Sequence, residues 1–152
     1  MYKKLLVIIL IILIGLTGCR KKLGDLDLSN IIRDVDFDMT FGDIYEVEGK
    51  NPSSKKENDN YVILYYEDKL LDGYSGEVIY RFDENDRLDF IKFKFEGEKD
   101  FKDYMKKFLE YYPNYERYDG LENTYKWDGY INDDYAALYA NYDSNILEIS
   151  KD

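Results

Sequence analysis

Residues 87–113, "RLDFIKFKFEGEKDFKDYMKKFLEYYP", change their hydrophobic period part-way along, and that change decides the fold. In Arg87–Glu96 the apolar Ile91, Phe93 and Phe95 alternate with Lys92 and Lys94, the pattern of a strand with one buried and one wet face. From Phe101 onward the apolar positions become Phe101, Tyr104, Met105, Phe108, Leu109 and Tyr112, with Lys102, Lys106 and Lys107 off the stripe. That spacing predicts one amphipathic helix. Asp100 is the expected N-cap, and Pro113 bars continuation. A half-buried strand feeding directly into such a helix implies a sheet whose apolar face is covered by helix.

Working outward, "YVILYYE" (Tyr61 to Glu67) and "GEVIYRFD" (Gly76 to Asp83) read as strands upstream, with "DENDR" as the hairpin loop into Arg87–Glu96. Thr40 to Pro52 reads as a short helix, with Asp43 as its cap, Val47 toward the core, and Gly49 and Pro52 as its stop. "SSKKENDN" reads as a polar loop. Downstream, "NTYKWDG", "DYAALYANYD" and "NILEIS" read as three further strands. The order is helix, three strands, helix, three strands. Both halves end in a strand–Asp/Asn turn–strand hairpin, and a proline follows each helix (Pro52, Pro113), as in an internal repeat. The expected fold class is therefore α+β: one antiparallel sheet of about six strands with the helices packed on one face.

The N-terminus carries a different signal. Lys3 and Lys4 precede an apolar run from Leu5 to Leu16, about 12 residues, which suits a signal-peptide core of ~7–15 residues better than a bilayer span of about 20. The run ends in Leu16-Thr17-Gly18-Cys19, which resembles the lipobox of bacterial lipoproteins. The resemblance implies a diacylglyceryl group on the Cys19 sulfur, cleavage after Gly18, and a location on the extracytoplasmic side of the cell membrane. It also gives a purpose to the chain's one cysteine, which can form no internal disulfide. The expected organisation is a signal peptide at 1–18, a membrane tether at 19–36 and a single α+β domain at 37–152. Leu26, Leu28, Ile31, Ile32 and Val35 are placed to dock part of the tether onto that domain.

Charge and composition narrow the function. The chain has 21 Lys+Arg and 32 Asp+Glu, and loss of residues 1–18 takes its net charge from −11 to −13. A body this acidic is repelled by nucleic acid phosphates and by anionic lipid surfaces, so no nucleic-acid partner is expected and the body is expected to stand off the membrane. With no histidine and its one cysteine assigned to lipid, the chain lacks the commonest general base, the usual nucleophilic triads and most zinc sites. The run from Asp83 fails as a calcium loop, because Arg87 and Leu88 stand where a ligand and a glycine are needed. No metal, cofactor or catalytic residue is expected. Acidic pairs suited to a small enzyme or ligand receptor remain an alternative, since 32 acids must produce some close pairs. A purely structural envelope lipoprotein is another.

"FGDIYEVEGKNP", "LDGYSGEVIYRFDENDRL" and the helix ending before Pro113 together resemble a class of small bacterial lipoproteins. Their domains are related in shape to the β-lactamase inhibitory protein and to small outer-membrane assembly lipoproteins. The resemblance spans most of residues 37–149, with a shorter first helix here. It implies an antiparallel sheet with helices on one face and a role in binding proteins; Cys19 is the one functional residue that carries over. Strand alternation adds a candidate surface. If Leu64, Tyr66, Tyr80, Phe82 and Leu138 fill the core, then Tyr65, Arg81 and Tyr139 lie on the opposite face. Tyr and Arg are the residues protein-binding surfaces favour, although tyrosine also tolerates half burial on any sheet. The expectation is a lipid-anchored, non-enzymatic protein- or peptide-binding module of the cell envelope, held to the membrane through Cys19.

Overall fold

The structure is a computed structural model that describes residues 26–151; Cys19 and the expected signal peptide at 1–18 lie outside the described residues. In chain order the elements are β1 (Leu26–Asp27), α1 (Phe41–Glu48), β2 (Ser54–Glu57), β3 (Val62–Leu71), β4 (Tyr74–Phe82), β5 (Leu88–Phe95), α2 (Glu98–Tyr111), β6 (Glu116–Arg117), β7 (Thr124–Ile131), β8 (Asp134–Asn141) and β9 (Ile146–Lys151). All nine strands join one sheet in the order β1-β7-β8-β9-β5-β4-β3-β2, with β6 also on the edge of β7.

This corrects the expected fold class. The described chain is mostly β, its sheet has nine strands rather than about six, and it is mixed, because β1 pairs parallel with β7. The extra strands have physical reasons for being illegible. β2 lies within "SSKKENDN", and all four of its residues are exposed, so no hydrophobic alternation marks it. β1 and β6 are two residues each and exist only as pairings along β7. Helices alone do not form the cover either, since α1 and α2 supply 8 and 14 residues. Leu28, Ile32, Val35 and Phe37, from the stretch between β1 and α1, are buried in the same core.

The local chemistry explains most boundaries. Thr40, not Asp43, is the N-cap of α1; Asp43 is its partner in a capping box, and the two bond each other's backbone N–H. Ile44 is the buried residue of α1, whereas Val47 is 41% exposed. Gly49 ends the helix at φ 67, a left-handed conformation that glycine adopts without penalty. α2 starts two residues before the expected cap, with Gly97 at the cap position and Asp100 in the first turn; Phe101, Tyr104, Met105 and Phe108 are buried as the stripe requires. β3 continues to Leu71 through a register shift between Tyr66 and Lys69.

The two halves are related by an approximate two-fold. Each consists of a helix, a short edge strand and a three-strand meander, and the last strands of the halves, β5 and β9, pair antiparallel at the seam. Lys92 and Glu148 stand opposite each other there and form an ion pair of 3.2 Å. Counting outward from that pair, Ile79 corresponds to Tyr139, Tyr65 to Lys126 and Ser54 to Glu116. The core lies between one sheet face and the cover. Leu64, Tyr80, Ile91, Ile149, Leu138 and Trp127 form one of its cross-sheet rows, and all are buried.

Candidate functional site

The opposite face of the sheet is where the sequence places its candidate residues. Tyr65, Arg81 and Tyr139 all lie there, each partly exposed, because their chain neighbours Leu64, Tyr66, Tyr80, Phe82, Leu138 and Ala140 are buried on the core side. Tyr65 and Tyr139 belong to one row, Ser54–Tyr65–Ile79–Lys92–Glu148–Tyr139–Lys126–Glu116. Four strand spacings separate them, about 19 Å. Arg81 sits in the adjacent row beside Ile63 and Phe90.

Each residue is held by its neighbours. Arg81 donates from Nε and Nη2 to the two carboxylate oxygens of Asp89, at 2.9 and 3.1 Å, and its guanidinium lies 5.0 Å from the centre of the Phe90 ring. Lys56 lies 5.0 Å over Tyr65. Tyr118 packs edge-on against Tyr139, with ring centres 5.2 Å apart. Ile79 and Phe90 complete the apolar part of the face, half-buried. Phe90 reaches this face because β5 slips by one residue against β4 at Asp89: Arg81 pairs with Phe90 but Phe82 with Leu88. The slip restores phase before Ile91, which stays in the core.

A shallow cavity of about 520 Å³ opens on this face, between the chain before β7 and the sheet. Tyr118 and Leu121 form one wall, Tyr139, Ile146 and the Lys92–Glu148 pair the floor. A second cavity of about 520 Å³ lies on the helical side, between residues 30–33, the β3–β4 turn and the end of α2, lined by Tyr74, Tyr104, Phe108 and Tyr112. The one carboxylate lining it is Asp72.

The sequence gives no warning of the most enclosed carboxylate among the described residues with a charged partner, Glu48. Its side chain is 3% exposed and is bonded by Arg33 Nε at 3.1 Å, by Lys69 Nζ and by the Tyr80 hydroxyl. Burial by itself would raise its pKa. The hydrogen bonds from Lys69 and Tyr80 and the charges of Arg33 and Lys69 together outweigh that effect and hold the carboxyl below its ordinary value. Burial and the adjacent Glu48 charge push the Tyr80 hydroxyl strongly up, so it stays a donor. The nearby Tyr66 hydroxyl, pushed up to about 12 chiefly by burial, has no hydrogen-bond partner. This cluster ties the stretch before α1 to α1 itself and to β3 and β4; every donor reaching Glu48 is already engaged with it. No signal of period or motif marks Glu48, since its three partners come from three other stretches of chain.

Among the described residues no three Asp, Glu, Cys or His side chains come together as a metal site, and no helix is long and apolar enough to cross a membrane. Compared with family models, curated proteins and solved structures, the chain finds no match in any of the three.

Proposed function

We propose that this chain is a lipid-anchored extracytoplasmic protein that binds a protein or peptide on the open face of its sheet. The observation that carries the reading is the composition of that face. Tyr65, Ile79, Phe90, Arg81 and Tyr139 stand together there, while the cover packs on the other side. Aromatic and arginine side chains give large contact area at modest ordering cost, and interface hot spots draw on them. The lipobox-like ending at Cys19 supports the location.

Two experiments test the two halves. Metabolic labelling with a palmitate analogue should mark the wild-type chain and not Cys19→Ser; equal labelling would remove the anchor from the reading. A photo-cross-linking residue placed at Tyr65 or Tyr139 should trap the same partner in cells, while one at Lys106, exposed on α2, should not. Adducts from Lys106 alone would move the interface to the helical side.

A further inference from the structure

We infer that the β7 edge of the sheet is a membrane-contact edge, where tyrosines from both sides seat in the phospholipid headgroup layer. The inference rests on lipid attachment at Cys19 and says how the body then sits. Two observations converge on this edge.

The first is the length of chain available. Leu28 and Ile32 are buried, and β1 pairs with Gly129 and Tyr130, so the chain has joined the body by Leu26 at the latest. Six residues, 20–25, separate it from Cys19. Fully extended, the span from Cys19 to Leu26 is at most about 25 Å. Because β1 runs parallel to β7, its starting end points towards β6, which pairs with Tyr125 and Lys126 on the same strand edge. A lipid on Cys19 therefore holds this edge close to the bilayer, and the opposite edge, β2, stands six strands beyond β7.

The second is the distribution of exposed apolar side chains. Tyr111 is 79% exposed, Leu121 57%, Tyr115 45% and Tyr118 38%, all within the eleven residues that end α2 and lead around β6 into β7. Tyr115 and Tyr118 straddle the edge, while Tyr111 lines the helical-side cavity at the end of α2. Tyr115 packs against Trp127 and Tyr125 on the helical side, whereas Tyr118 packs against Tyr139 on the open side. Tyr112 just before them is fixed to β7 by the Trp127 indole N–H, which donates to its carbonyl at 3.0 Å. Tyrosine suits the boundary between headgroups and acyl chains, with an apolar ring and a hydroxyl that stays wet. Net charge alone would hold the body off anionic lipid, and Glu116, Asp119 and Glu122 in the same stretch outnumber Arg117, so the contact is assigned to the rings and Leu121 and not to charge.

The test couples a chain beginning at Cys19, which keeps every described residue, through that cysteine to a maleimide lipid in phosphatidylcholine vesicles. Attachment then does not depend on cellular lipidation, whose failure the Cys19→Ser labelling reports separately. A fluorophore is introduced by Leu121→Trp, or as a control by Asp59→Trp in the exposed β2–β3 loop at the far edge. With lipids brominated in the upper acyl chain, emission from Leu121→Trp should fall at least two-fold beyond that of the parent, which carries Trp127 alone, and Asp59→Trp should not. Adding Tyr111→Ser and Tyr118→Ser should restore most of the emission. Equal quenching of the two variants, no quenching of either, or quenching indifferent to the tyrosines would each overturn the inference.

Discussion

Glu48 is the residue at which stability and pH should meet. A carboxylate with 3% exposure, bonded by two cations and a tyrosine, cannot lose its charge without leaving those partners unmatched. Glu48→Ala should cost about 3–5 kcal/mol in urea unfolding, because Arg33 and Lys69 would then be enclosed without their counter-charge. The sign of the pH effect follows from the lowered folded-state pKa. The contribution is complete above the unfolded value near 4.3 and is lost as pH falls through the folded value. Wild-type stability should therefore drop below about pH 5, and Glu48→Gln, less stable at pH 7, should lose less over the same range. Parallel pH curves for the two would show that other carboxylates set the acid limit; Asp43 and Asp83, both also held low, are the first to try.

At the scale of elements, α2 and β1 make contrasting predictions. Phe108 is 5% exposed and packs edge-on against Trp127 at 5.3 Å, so Phe108→Ala should cost about 3–5 kcal/mol. Lys107, one residue away and exposed, bonds only the Tyr74 hydroxyl; Lys107→Ala should stay within about 0.5 kcal/mol. Comparable losses in thermal or urea unfolding would mean the stripe is misplaced. β1 depends on a missing side chain. A Cβ on Gly129 would lie 2.5 Å from the Leu26 carbonyl oxygen and 2.8 Å from Leu28 Cγ. Gly129→Ala should therefore loosen β1 and the Leu28 packing, costing about 1–3 kcal/mol and speeding amide exchange at Leu28, whose N–H donates to the Tyr130 carbonyl. The contrast also explains what could be read from sequence. α2 was legible because fourteen residues repeat one hydrophobic period. β1, β2 and β6 were not, because an edge strand or a two-residue pairing is defined by its neighbour and leaves no periodic trace. The bounds of α1 shifted because Thr40 outcompetes Asp43 for the cap, a choice settled by which residue lies three before the other.

For the whole molecule, the open face and the core should be separable. Tyr65→Ala, Arg81→Ala and Tyr139→Ala remove partly exposed side chains, so each should leave the unfolding midpoint nearly unchanged while weakening partner binding by about 1–2 kcal/mol or more. Loss of folding from all three would mean the face serves the sheet rather than a partner. Alternation along β3, β4 and β8 made the placement of these residues legible. Phe90 beside Ile91 breaks that period, and β5 slips by one residue there against β4. The number of strands was not legible, because it depends on what the sheet edges recruit.

The seam between β5 and β9 has a consequence for how the chain is made. Phe93 pairs with Leu147, 54 positions later, while every other pairing within the two meanders joins neighbours along the chain. β9, the last strand of the described residues, is thus an interior strand, flanked by β8 and β5. Until it arrives, the first half presents β5 as a bare edge with Ile91, Phe93 and Phe95 beside it, a template for pairing with another chain. The seam therefore closes only once β9 is in place, whatever the order in which the earlier strands pair. Without β9 the strands β5 and β8 would each show a bare edge that the native sheet keeps paired, in addition to the outer edges it always has.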